Sequence, residues 1–175
     1  MTEPRWLNAD ERRAWLALVS INTLLPAALD TKLHTAGKLS LFDYTVLAML
    51  SEAEGRFLPM SELAARSSAS LSRLSHVVTK LQKRGWVERR PHPHDARVTT
   101  AHLTEEGMAT IVGLAPGHVE DVRGLFLDAL TEQDVLDLAR IGEKVVGRLD
   151  SDHWILRENR PTCRLVGCSR QRVAN

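Results

Sequence analysis

Only two cysteines occur in the 175 residues, Cys163 and Cys168, both near the C-terminus, so no disulfide framework holds the chain together. Aromatic residues are scarce at 5%, with a single tyrosine. No apolar run approaches the roughly 20 residues that span a bilayer, and the opening MTEPRWLNADERR has no hydrophobic signal segment. The expectation is a cytoplasmic protein with no membrane partner. A nucleophile beside a base, or paired carboxylates at a catalytic spacing, is also missing, which excludes an enzyme at this stage. No cofactor is expected. A metal site needs three or four donors at a defined geometry; His92, His94 and His102 read as surface wing residues with no Cys nearby, and Cys163 and Cys168 lack two partner ligands, so no metal is expected either.

What is present begins with enough apolar residues, 43%, for one real core in a chain too short for several full-sized domains. The net charge of +1 hides an asymmetry: residues 56–104 carry nine Lys or Arg against three acids, a net +6, which leaves −5 for the remainder. Positive charge gathered on one module of an acidic body is the footprint of a phosphate-binding face.

That module reads as two short helices followed by a basic hairpin. Ser70 is a good N-cap, and Leu71, Leu74, Val78 and Leu81 then recur at three- and four-residue spacing, with Val77 beside them, as a stripe facing a core. Ser72, Arg73, Ser75, His76, Thr79, Lys80 and Lys83 lie off the stripe and include no acid, which suits base edges and phosphates. Gly85 ends the helix where a left-handed residue is cheap. Ser61 to Arg66 predicts a shorter helix, and Ser67–Ala69 is the length of a helix-turn-helix connection. Trp86–Arg89 and Val98–Leu103 read as paired strands around PHPHDAR, a wing bearing Arg89, Arg90 and Arg97.

Glu62-Leu63-Ala64, the helix from Ser70 to Leu81, Arg84-Gly85-Trp86-Val87, Asp95-x-Arg97 and Leu103-Thr104-Glu105-Glu106-Gly107 stand in the order and spacing of one family. Together they resemble the winged-helix domain of the MarR regulators, most strongly over residues 39–108. The resemblance implies a mainly α fold with a small β wing, a winged helix-turn-helix plus terminal dimerisation helices. It implies that the second helix enters the major groove, so that Ser70, Ser72, Arg73, Ser75, His76, Thr79 and Lys80 are candidate DNA contacts, with Arg89, Arg90 and Arg97 on the wing. Asp95 and Arg97 are expected to brace one another. The wing tip holds His92 and His94 where the family commonly has acids, and Arg73 stands where a small residue is usual.

The flanks read as helices. Asn8 with Glu11 opens one whose apolar face runs through Trp15, Leu18, Ile21, Leu25, Leu29 and Leu33, with Pro26 expected to kink or split it. Ser40 with Asp43 opens LFDYTVLAML, apolar nearly all round and therefore buried. Thr104 caps a long helix expected to reach Ala129, about 26 residues and about 39 Å, interrupted at Pro116 and Gly117. Thr131 with Asp134 opens a last one through Val135, Leu138, Ile141, Val145 and Leu149. The expected division is 1–38 for an N-terminal dimerisation region, 39–104 for the DNA-binding domain, 105–150 for C-terminal dimerisation helices and 151–175 for a basic disordered tail.

These end helices outreach the small winged domain, so two chains are expected to bury each other's stripes. A homodimer of such domains presents two reading helices to a pseudo-palindromic operator in double-stranded DNA. The resemblance further implies a repressor released by a small effector, an aromatic acid or phenol, held in a cleft for which Arg12, Arg13, Trp15, His34, Tyr44 and His118 are candidates. Two other readings remain open: a winged-helix interaction module without sequence-specific DNA binding, and a redox- or metal-responsive regulator using Cys163, Cys168 or the wing histidines.

Overall fold

A computed structural model describes residues 3–158 of the chain. Helix α1, Ala9–Gly37, opens on the Asn8/Glu11 capping box and runs through Pro26 as one helix rather than splitting there. Proline removes a single N–H, and both helix ends are capped while Leu29 and Leu33 anchor the second half in the core, so one lost bond does not end it. The first half is different: Trp15, Leu18, Ile21 and Leu24 are exposed. Among the described residues, α1 is by length and mean composition alone long and apolar enough to cross a membrane. Its apolar residues are interspersed with polar ones, so no uninterrupted run betrays it.

Helix α2, Leu41–Glu52, is capped by Ser40 and Asp43 and buries Tyr44, Val46, Leu47 and Leu50, as its near-uniform apolarity requires. Strand β1, Phe57–Pro59, leads into α3, Met60–Arg66, and after a turn into α4, Leu71–Lys83. Strands β2, Val87–His92, and β3, Asp95–Leu103, form the wing, and the antiparallel order β1-β3-β2 makes a three-stranded sheet. The hairpin strands are longer than their sequence pattern, and Pro91 lies inside β2. That is permitted because β2 is an edge strand whose register shifts between Pro91 and His92.

Helix α5, Glu105–Leu125, starts at Thr104 and passes Pro116 and Gly117 without interruption. It stops 4 residues short of the expected Ala129, because Phe126 leaves helical geometry (φ −140°, ψ −61°) and a separate 3-10 turn spans Leu127–Ala129. Its 21 residues measure about 32 Å. Helix α6, Glu132–Leu149, opens on the Thr131/Asp134 box. Helix α7, Trp154–Glu158, falls where the sequence suggested an unstructured tail.

The core gathers Leu33, Leu39, Val46, Leu47, Leu50, Leu63, Leu74, Val78, Leu81, Val87, Ala101 and Ile111, drawn from α1 to α5 and the sheet. Each fully buried leucine or valine contributes about 1.5–3 kcal/mol. Leu71 is not among them; at 55% exposure it lies off the stripe that it was expected to lead. Two glycines fix how the wing joins this core. Gly85 (φ 76°) ends α4 with its N–H on the Gln82 carbonyl while the Trp86 N–H reaches Leu81, the double bond pattern that favours a left-handed residue. Gly107 packs so tightly that a Cβ there would stand 2.2 Å from the Trp86 carbonyl oxygen. Thr104 links the two, donating its hydroxyl to the Gly85 carbonyl at 2.7 Å and accepting the Gly107 N–H at 3.0 Å.

Candidate nucleic-acid interface

Helix α4 is the element on which the site is built. Ser70 caps it, its hydroxyl accepting the Arg73 N–H at 3.2 Å. Leu74, Val78 and Leu81 face inward at zero exposure, which turns Ser72, His76, Thr79 and Lys83 outward at helical spacing. Two flanks separate these faces, and each is held by a neighbouring element.

On the wing flank, the Arg89 guanidinium of β2 donates to the Ser75 carbonyl at 2.7 Å and its hydroxyl at 3.1 Å, to Gln82 Oε1 at 2.8 Å and to Thr79 Oγ1 at 3.1 Å. Arg89 is half-buried and engaged in fastening the wing to α4, and it occupies the polar groups of Ser75 and Thr79. On the other flank, the Arg73 guanidinium lies 4.3 Å over the Phe42 ring of α2, and Lys80 Nζ makes a short ion pair with Asp43. Asp43 is only 1% exposed. Burial alone would raise its pKa, but the hydrogen bonds from Lys80 and Ser40 outweigh that and hold the carboxyl below its ordinary range.

The wing presents its charges unequally. Arg97 projects into solvent, its side chain 93% exposed, and Asp95 braces it by accepting from Nε at 3.2 Å and from its backbone N–H at 3.1 Å. Arg90 is folded onto Glu88 at 2.6 Å. At the tip, the His94 N–H donates to His92 Nδ1 at 3.2 Å. His102 stacks on Phe57 with 4.8 Å between centroids. Burial, and then the Arg90 charge, lower its pKa. The Thr100 hydroxyl already donates to the Arg90 carbonyl, so neutral His102 donates from Nε2 to that hydroxyl at 2.8 Å. Among the described residues, no three His, Cys, Asp or Glu side chains converge to hold a metal ion. Cys163 and Cys168 lie outside the described residues.

The residues expected around an effector are dispersed. Arg12, Arg13 and Trp15 are exposed near the start of α1, and His34 is exposed near its end. Tyr44 and His118 do meet, ring on ring at 4.2 Å, and burial lowers the His118 pKa while its Nδ1 has no hydrogen-bond partner among the described residues. None of the six lines the cleft of about 550 Å³ between α1, α2 and the start of α4. That cleft is walled instead by Pro26, Ala27, Asp30, Phe42, Thr45 and Arg73, which sequence reasoning did not assign to a cleft. No local sequence signal marks it, because Pro26, Asp30, Phe42 and Arg73 come from three different helices.

Comparison with known proteins places this geometry. The model of the MarR family matches residues 39–98. The crystal structure of Sco3205, a MarR family transcriptional regulator from Streptomyces coelicolor in complex with DNA, is 39% identical, with a TM-score of 0.81 over 85% of this chain and 92% of that one. AbsC, a MarR family transcriptional regulator from the same organism, is 36% identical with a TM-score of 0.80, covering 85% of this chain and 99% of its own. The HTH-type transcriptional repressor YetL of Bacillus subtilis is 25% identical over 138 residues, 78% of this chain and 81% of YetL. A capped reading helix, a wing clamped to it and likeness along nearly the whole of Sco3205 have one reading: the chain belongs to the MarR family of winged-helix transcriptional regulators.

Proposed function

We infer that this regulator binds an inverted-repeat operator as a homodimer, reading bases through the outward row of α4 and phosphates or minor groove through the wing. The observation that carries the reading is the outward row Ser72, His76, Thr79 and Lys83, held rigidly between Arg89 on one side and Lys80–Asp43 on the other, with Arg97 extended beside it. Ser72 and His76 are the base-reading candidates. Ser70, Arg73 and Lys80 stand nearer the backbone, and Arg90 can reach it by leaving Glu88. Ser75, Thr79 and Arg89 act mainly by fixing the pose. That the similar Sco3205 is a structure in complex with DNA supports a DNA partner for this chain.

The dimer is supported by the exposed stripes of α1 and α6, and two reading helices related by a twofold axis require half-sites about one helical turn apart, roughly 10 base pairs. If the winged domains neutralise about six to eight phosphates, log affinity falls on log salt with a slope of about −5 to −7. The role is repression relieved by an anionic aromatic compound. The cleft beside Arg73 supports this, because a carboxylate there would compete with Phe42 for the guanidinium of the reading helix.

The test is a titration of the purified protein against its selected inverted repeat and against the same duplex scrambled. Operator preference of at least about 1000-fold is the expected result. Equal weak binding to both would leave the interaction-module reading in its place. Adding a small aromatic acid should release the operator from the wild type and not from Arg73→Gln.

A further inference from the structure

The last carbonyls of a helix have no partner within it, so the end of α3 has to find its acceptors' partners in the turn that leads to the reading helix. The Leu63, Ala64 and Ala65 carbonyls accept the backbone N–H groups of Ser67, Ala69 and Ser68 at 3.0, 2.9 and 3.1 Å. The carbonyl of Arg66, the last residue of α3, is met from outside the motif: the indole Nε1–H of Trp154, on α7, donates to it at 2.9 Å. The turn that aims α4 is therefore closed in part by a residue that follows α6. Helix α7 is in its own right fixed to α6. The Asp150 N–H reaches the Val146 carbonyl at 2.8 Å, and Leu156 lies over Gly147, 3.6 Å from where a Cβ would stand. The joint is narrow, because an open crevice of about 320 Å³ lies beside it, lined by Ala65 and Arg66 of α3 and by Asp150 and His153. The half-buried indole bond is the specific link between the two.

We propose that Trp154 is a positioning residue for operator binding: by tying the helix-turn-helix to the end of α6, it fixes the angle of the reading head against the helices of the proposed dimer and so sets which half-site spacing is accepted. The inference rests on the homodimeric operator reading above. The head has another tie, to α1, where the Leu41 N–H donates to Asp30 Oδ1 at 2.8 Å and the Arg84 guanidinium to the Lys38 carbonyl at 2.9 Å. A body tied at one place can swivel about it, and a second tie at Arg66, on a different helix, removes that freedom. Swivel matters because each base pair added between half-sites turns one against the other by about 35° and moves it by about 3.4 Å. Fixed heads fit one spacing, and loose heads fit several. One hydrogen bond is worth about fivefold in an equilibrium, enough to sharpen spacing while the fold and the reading of bases stand without it.

The full-length protein is titrated against its selected inverted repeat, against the same repeat with one base pair added or removed between the half-sites, and against the repeat with both half-sites scrambled. Wild type should lose about tenfold in affinity for the one-base-pair change. Trp154→Phe keeps a ring and removes the donor; it should lose only about twofold, the wild-type penalty divided by the worth of the bond, and should still prefer intact to scrambled half-sites. Ile111→Val, a core change on α5, controls for general destabilisation and should keep the wild-type penalty. Equal spacing penalties in wild type and Trp154→Phe overturn the proposal. So does a flattening shared by Ile111→Val, or a Trp154→Phe protein that no longer tells intact from scrambled half-sites, since Trp154 would then support the head itself and not its angle. Wild type that binds intact and scrambled repeats alike would remove the operator reading on which the proposal stands, and that comparison is made without any change of spacing.

Discussion

The reading helix and α6 are both amphipathic, yet one is satisfied within the chain and the other is not. In α4 the apolar row disappears completely against α2, α3 and the sheet. In α6 no residue is buried, and Val135, Leu138, Ile141, Val145 and Leu149 line up in solvent. Equal periodicity therefore means different things: one stripe is a fold's own interior, and the other stays exposed, as the proposed dimer requires. The same division runs along α1, whose second half is anchored by Leu29 and Leu33 while its first half exposes Trp15 and Ile21.

The largest effect should come from breaking the open stripe. Leu138→Glu with Ile141→Glu should convert the protein to monomers in sedimentation, with far-UV circular dichroism still reporting a folded winged domain. Operator affinity should fall by about 100-fold or more, since two heads then bind as separate events. A protein that stays dimeric would place the partner surface on another face.

The closed region should respond in stability instead. Gly107→Ala places a methyl against the Trp86 carbonyl and should lose about 3 kcal/mol in urea unfolding, because backbone on both sides has to move. Lys80→Ala leaves Asp43 buried in the first turn of α2 without its cation, and should lose about 2 kcal/mol. Because that carboxyl is held below its ordinary range, it contributes stability above the unfolded carboxylate pKa and loses it as pH falls through the folded value; wild type should therefore lose more stability in strong acid than the variant does.

The smallest effect concerns His102 and His118, whose pKa values are both lowered chiefly by burial. The unfolded chain takes up protons near pH 6.5, before the folded protein does, so stability should decline as pH falls from about 6.5 through the folded values. Urea midpoints at about pH 7.5 and 5.5 check this, and His118→Asn should flatten part of the slope. An unchanged slope in that variant would mean that the Tyr44–His118 contact opens without cost.

How far these contrasts could be seen in the sequence depends on their range. Asn8, Ser40, Ser70, Thr104 and Thr131 were recognisable as caps because the rule spans three residues, and the inward row of α4 because helical spacing is local. Strand β1 was not, since three residues cannot display a period of two. Leu71 was assigned inward by spacing, but the first turn of α4 projects beyond its neighbours. Arg89 looked like a wing cation of the same kind as Arg97, and only the packing of β2 against α4 separates them. The Lys80–Asp43 pair joins residues 37 apart and the Trp154–Arg66 bond residues 88 apart, so neither leaves a local trace. The cleft escaped for the same reason, being a space among three helices.

The Arg89 clamp settles where variation can act. A single guanidinium gripping Ser75, Thr79 and Gln82 makes hairpin and helix one solid piece. Within that piece, Ser72 and His76 make none of the clamp's hydrogen bonds, so exchanging the proposed base-reading side chains leaves the clamp intact. For the proposed dimer, a signal acting on a head built this way would work through the spacing between the two heads.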